Sequence, residues 1–209
     1  MPSPDLSNLL EDWVAVGWLR PLDGAFAEFL KAQAPDTPEL VLLAAALTSH
    51  QLGRGHICLD LKAMLSDPEK TLSLPPEEPV GEQMPVQPPN ALADISLPSL
   101  VHHLEESPLV APGPGNTPLV LDSGLLYMRR YWQYTRRVAK NVLDRLTHEF
   151  PVPENLPRRL DALFEPFRSA GEKAKLEIHW QSVAAAIAAK NAFSEIGRAS
   201  CRERVSAPV

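Results

Sequence analysis

Cysteine is almost absent from this chain, which carries only Cys58 and Cys201. Two cysteines cannot build a disulfide framework, so the chain points to a reducing compartment. No apolar run reaches the roughly 18 residues that a membrane helix needs. The first residues carry acids and a tryptophan, with no basic region before an apolar one, so no signal peptide is visible and a cytoplasmic location is expected. Basic excess is also missing: the formal net charge is -6, which argues against a general nucleic-acid coat protein. Glycine is sparse at 10 residues, whereas proline reaches 22, a load that implies several loops or linkers. The 209 residues, 44% of them hydrophobic, suffice for one good core and for one to two domains.

The dominant stretch is residues 40–61, LVLLAAALTSHQLGRGHICLDL. Residues 40–47 are apolar at every position, and a helix apolar all round must be buried on all sides. Thr37 is placed to cap its start, Pro38 suits the first helical position and Glu39 favours the positive end of the dipole. Gly53 and Gly55 are expected to stop it, and alternation over residues 56–61 reads as a short extended segment.

Before this hub, residues 5–16 place Leu6, Leu9, Leu10 and Trp13 on one helical face, and Gly17 can end that helix. Residues 18–22 read as a connection. Asp23 then caps a second helix with Phe26, Phe29 and Leu30 facing inward. Residues 61–65 make a helical turn. Residues 66–90 hold seven of the prolines and few large apolar side chains, which predicts a loose loop of partly polyproline character.

Residues 97–105 return to helix. Two apolar runs, 118–121 and 125–128, flank Asp122-Ser123-Gly124 and predict a β-hairpin. Residues 131–147 read as a long helix with Thr135, Val138, Val142 and Leu146 on its inner side. Residues 156–167 carry Leu156, Leu160, Leu163 and Phe164 at helical spacing. Residues 176–193 make a last helix with Trp180, Val183, Ala184, Ile187 and Ala188 in one stripe. Beyond position 194 the apolar periodicity stops, and residues 195–209 read as a non-native tail.

Few residues carry chemistry. His50, His56 and Cys58 suggest a metal at first sight, but a structural zinc site needs four ligands and no second pair stands nearby. Cys58 has no identifiable partner as a nucleophile, and an apolar setting raises a thiol pKa. The loop 111–116 contains Gly-Pro-Gly but lacks the Gly-Lys-Thr of a phosphate-binding loop. One region reverses the sign of the chain: Arg129, Arg130, Arg136, Arg137, Lys140 and Arg145 stand with only Asp144 opposing them, interleaved with Tyr131, Trp132 and Tyr134. That composition fits a solvated helix face, a protein interface or a strand-backbone contact with stacking.

Four ordered segments resemble the N-terminal part of the exodeoxyribonuclease V alpha subunit, the RecD helicase family. They are Leu19-Arg20-Pro21-Leu22-Asp23, the hub from Leu42 through Ser49-His50 to Leu59, the arm Leu125-Leu126-Tyr127-Met128-Arg129-Arg130-Tyr131-Trp132, and Leu160-Asp161-Ala162-Leu163-Phe164 ahead of Trp180-Gln181-Ser182-Val183-Ala184-Ala185-Ala186. The resemblance implies a mainly α fold. A helical N-terminal interaction domain would occupy residues 1–110, with the proline-rich loop at 66–90. Residues 111–194 would hold the hairpin and the leading helices of a missing RecA-like α/β motor domain.

The family's last helix runs into a strand and a loop ending Gly-Lys-Thr, and the matching chain here ends at Ser194. The resemblance therefore implies a fragment of an ATP-dependent DNA helicase and exonuclease subunit, acting in double-strand break repair and recombination. ATP and magnesium belong to the full-length family. The fragment alone is expected to lack catalytic residues, metal and cofactor, and so not to hydrolyse ATP. Gln181 matches the family's adenine-reading glutamine, in an incomplete site. RecC-type and RecB-type subunits are the implied partners, with DNA met through the complex and no membrane. Arg129, Arg130, Trp132, Arg136, Arg137 and Lys140 are the candidate partner or DNA contacts. The competing readings are a stand-alone winged-helix-like DNA-binding regulator and a helical enzyme of another kind.

Overall fold

The computed structural model describes residues 6–76, 85–147, 151–169 and 180–194. The start of the first helix at Asp5, the middle of the proline-rich stretch, residues 176–179 of the last helix and the tail 195–209 lie outside them. Ten helices and a four-stranded sheet make the described part mainly α. None of these helices is long and apolar enough to cross a membrane. The chain divides into two compact units, residues 1–135 and 136–209.

The first unit is built around α3, Glu39–Gly53. Every residue from Val41 to Gln51 is buried, as an all-round apolar sequence requires. Its neighbours are α1, Leu6–Ala15, and α2, Pro21–Gln33. Ala44, Ala45 and Ala46 are almost inaccessible and keep the hub slim enough for such packing. Thr48 donates back to the Ala44 carbonyl at 2.7 Å, which satisfies a hydroxyl in an apolar setting. Leu43→Ala should cost about 3 kcal/mol, from lost transfer energy plus a cavity. Urea denaturation checks this, and a loss under about 1 kcal/mol would place Leu43 outside the core.

The helix termini differ from the expectation. Thr37 does not cap α3; its hydroxyl is buried with no hydrogen-bond partner among the described residues. Pro38 holds extended backbone and itself occupies the N-cap, with the Val41 N–H donating to its carbonyl at 2.9 Å. At the other end the left-handed turn falls at Gly55, φ 90°. Gly53 stays helical, and a Cβ there would collide with the Arg20 guanidinium. Its small size admits Arg20.

In α2, Leu30 is buried and Phe26 is half-buried against the core, but Phe29 points outward at 58% exposure. The helix begins at Pro21, so Arg20 holds the N-cap and Asp23 caps from the first turn, accepting from the Arg20 N–H in a capping box. The resulting phase turns Asp23, Ala27 and Leu30 inward and rotates Phe29 off that face.

After α3 come β1, Leu59–Asp60, α4, Leu61–Ser66, and α5, Pro68–Leu72. Asp60 and Asp67 cap these two helices through the Ala63 and Lys70 N–H groups. The proline-rich stretch is therefore not a loop throughout. Its first part forms α5, its end starts α6, Pro88–Leu92, and Leu72, Leu74, Ala91 and Leu92 enter the core. Proline at the first helical position favours such short helices, and the few apolar side chains between the prolines anchor them.

α7, Leu97–Glu106, buries Leu100 and Leu104. The hairpin is β3, Leu119–Asp122, and β4, Leu125–Met128, with Leu121 opposite Leu126. Its two-residue turn has positive φ at both Ser123 (54°) and Gly124 (80°), the geometry that matches strand twist. Two short strands flank it: β1 runs antiparallel to β4, and β2, Val110–Ala111, runs parallel to β3. The sheet order is β1-β4-β3-β2. Helix α8, Arg129–Leu146, starts directly at the end of β4.

In the second unit, α9, Leu156–Ser169, packs with α10, Trp180–Lys190. No residue of α8 is buried, and Val138 and Leu146 of its expected inner side are each 61% exposed. Leu163 on α9 and Trp180, Val183 and Ile187 on α10 are exposed as well. Apolar periodicity identified these stripes correctly as apolar but not as covered.

Candidate interaction surface

The basic region separates into residues engaged within the protein and residues that face outward. Arg129 opens α8 and turns back onto the loop before β3. Its Nε donates to the Thr117 carbonyl at 2.8 Å, and its two terminal nitrogens donate to the Gly113 carbonyl and the Thr117 hydroxyl. The Thr117 hydroxyl donates onward to the Leu119 carbonyl at 2.9 Å. Trp132, one helical turn on, lies under this guanidinium with 5.8 Å from Cζ to the ring centroid. Its indole N–H donates to Asp122 Oδ2 at 3.0 Å, which ties the helix to the hairpin tip.

Arg129 and Trp132 are thus brought together as a clasp on loop 112–117. Removing a charged donor with three acceptors costs more than an ordinary surface change. Arg129→Ala should lower stability by about 1–2 kcal/mol and speed hydrogen exchange over residues 110–120. Unchanged exchange there would mean that the loop holds without it.

Arg130 is exposed beside this clasp in the first unit. Tyr131 and Tyr134 pack edge to face, ring centroids 6.2 Å apart, and Tyr134 remains 48% exposed. Arg136, Arg137 and Lys140 are exposed in the second unit. Gln181 is exposed in the first turn of α10.

The histidines and cysteine sit elsewhere. His50 is buried, with Nε2 2.9 Å from the Leu72 carbonyl. His56 is exposed. Cys58 is half-buried beside Tyr127. Burial pushes the Cys58 thiol up, away from the reactive thiolate. Burial and the neighbouring Cys58 push Tyr127 up to about 12. Among the described residues no three His, Cys, Asp or Glu side chains group as metal ligands.

The polar centre of the first unit, which sequence reasoning missed, is Asp23. It is inaccessible to solvent, yet it accepts from the Arg20 backbone N–H at 3.0 Å, from Arg20 Nη2 at 2.6 Å and from Ser49 Oγ at 2.6 Å. Arg20 also donates to the Ser49 carbonyl at 2.7 Å, so the pair binds the start of α2 to the last turns of α3. A signal existed: Arg20-Pro21-Leu22-Asp23 places an acid three residues past an N-cap, where it can reach back to that residue's N–H.

The hub, the Arg20–Asp23 tie and nearly all of the hairpin lie in one stretch of the chain that a family model matches. The model for the RecBCD enzyme subunit RecD, N-terminal domain, matches residues 15–127. This chain belongs to that family. No curated protein matches it. The RecD match takes in α2, α3 and the whole sheet except Met128, and it ends at Tyr127. Family membership rests on that stretch. The basic helix lies outside the matched stretch.

Proposed function

We propose that this chain works as a subunit-interaction domain of a RecD-like protein, docking onto the RecC-type and RecB-type subunits of a RecBCD-type complex in the cytoplasm. Through that complex it serves an ATP-dependent helicase and exonuclease that repairs and recombines broken DNA. The observation that carries the reading is the RecD N-terminal domain match over residues 15–127, which spans the buried core from α2 to the hairpin. The exposed cations Arg130, Arg136, Arg137 and Lys140 supply polar anchors for a partner, a role in which arginine is favoured.

Co-expression with RecB-type and RecC-type subunits tests this. The wild-type chain should co-purify with them, and Arg136→Ala with Arg137→Ala should weaken assembly while changing stability by less than about 0.5 kcal/mol. Failure of the wild-type chain to assemble overturns the reading. Full assembly by the double variant returns those arginines to solvent. Tight binding of duplex DNA by the isolated chain would favour a DNA-binding regulator instead.

A further inference from the structure

A groove of about 380 Å³ runs between α1 and α2 over the start of α3. Its floor is apolar, with Val14, Gly24 and Leu42 among the residues that line it. Gly24 sets how close the two helices approach: a Cβ there would stand 3.1 Å from Val14 Cγ2. The rim has a different character. Glu11 on α1 and Glu28 on α2 stand exposed around it, and Lys31 is the one cation among the described residues that line it.

We infer that this groove docks a partner-protein segment that presents a large apolar side chain flanked by lysine or arginine. The inference rests on the assembly reading above and names the surface that would carry it. Two features define the occupant. An apolar channel between helices accepts the apolar face of a helix or extended segment. The acidic rim, Glu11 and Glu28 against Lys31, favours cationic flanks and disfavours phosphate backbones. The groove lies within the first unit, and α2 and α3, which supply most of it, fall inside the RecD-matched residues.

The test uses the full chain and two fluorescein-labelled amphipathic peptides, one of leucine and lysine, the other of leucine and glutamate in the same pattern. Anisotropy should show the lysine peptide binding at least about tenfold tighter than the glutamate peptide. Two variants should each weaken it about tenfold or more: Glu11→Lys with Glu28→Lys, which reverses the rim, and Ala25→Trp, which fills the channel from an exposed wall position. Unchanged circular dichroism and melting temperature show that both variants fold. Equal binding of the two peptides, or wild-type binding by both variants, overturns the proposal. So does displacement of the lysine peptide by duplex DNA, or self-association abolished by the same substitutions. In the co-expression assay, wild-type assembly judges the assembly reading, and assembly by the groove variants judges the groove. Normal assembly by those variants sinks the groove and leaves the assembly reading standing.

Discussion

Trp13→Ala should remove about 3–5 kcal/mol of stability, the range for a buried aromatic truncated to alanine. Trp13 is inaccessible to solvent on the inner face of α1 and packs beside Trp18 with ring centroids 6.2 Å apart. Its indole N–H donates to the Val86 carbonyl at 2.8 Å, across 73 residues of sequence. Its own carbonyl accepts from the Trp18 and Leu19 N–H groups and closes the helix end at Gly17. Of these interactions only the ring and its N–H are lost on substitution, because the carbonyl belongs to the backbone. Against a total of roughly 5–15 kcal/mol, the ring alone decides whether the domain is comfortably folded. Trp13→Phe separates the two contributions. It keeps most of the volume and should cost about 1 kcal/mol, chiefly for the lost hydrogen bond. Hydrogen exchange should then quicken around residues 86–92, where that bond anchors the end of the proline-rich stretch. Denaturation of the three proteins in urea decides it. A loss under about 1 kcal/mol for Trp13→Ala would move α1 out of the core.

What the sequence revealed follows the range of the interactions involved. The hub helix was legible because its apolar run leaves no polar face, and a helix with no polar face has only one place to go. The hairpin was legible because Asp122-Ser123-Gly124 sits between two apolar runs, and the turn chemistry is local. Strand β1 falls within the extended segment expected at residues 56–61, but its pairing with β4, far along the chain, was not legible, and β2 was not legible at all, because a two-residue strand has no periodicity. The proline-rich stretch was read from composition, which is blind to the Trp13 side chain that holds Val86 in place. The inner side expected on α8 and the apolar stripe on α10 show a further limit. Period alone reports that a stripe is apolar and not that anything covers it. The arginine cluster was visible as charge, yet nothing in its spacing distinguished Arg129, spent on Thr117 and Gly113, from Arg136 and Arg137 in solvent. Asp23 was visible as an end-of-helix signal and hidden as the buried centre of the unit.

Replacing Asp23 tests that centre. Breaking a buried ion pair by removing one partner costs about 3–5 kcal/mol when the remaining charge is trapped. Here the partner is not trapped, because the Arg20 side chain is 45% exposed and can return to water. Asp23→Ala should therefore fall near the low end, about 3 kcal/mol, with the buried Ser49 hydroxyl left unpaired as part of it. Arg20→Ala is the informative opposite. It leaves the Asp23 carboxylate buried with Ser49 and the residue-20 backbone N–H as its hydrogen-bond donors and His50 3.9 Å away.

The acid response separates the two variants. Burial on its own would raise the Asp23 carboxyl, but the hydrogen bonds from Arg20 and Ser49 outweigh it and hold the group below the usual carboxylate range. A depressed carboxyl stabilises the fold above the unfolded value of about 3.9, and that contribution is lost as pH falls through the folded value. His50 adds an earlier step. Burial lowers its pKa more than the Leu72 carbonyl and Asp23, 3.9 Å away, raise it. The unfolded chain therefore takes up this proton first, and stability falls as pH drops below about 6.5. Wild-type melting temperature should decline in these two stages, and His50→Gln should remove the upper one. In Arg20→Ala the main support of the Asp23 charge is gone, its pKa rises above the unfolded value, and the sign reverses. That variant should be weakest near neutral pH and recover part of its deficit as pH falls through the raised value. Melting curves between about pH 2 and 8 cover both stages and the Arg20→Ala reversal. An Arg20→Ala deficit that stays constant with pH, or an Asp23→Ala protein as stable as wild type at neutral pH, would show that the carboxylate does not hold α2 to α3.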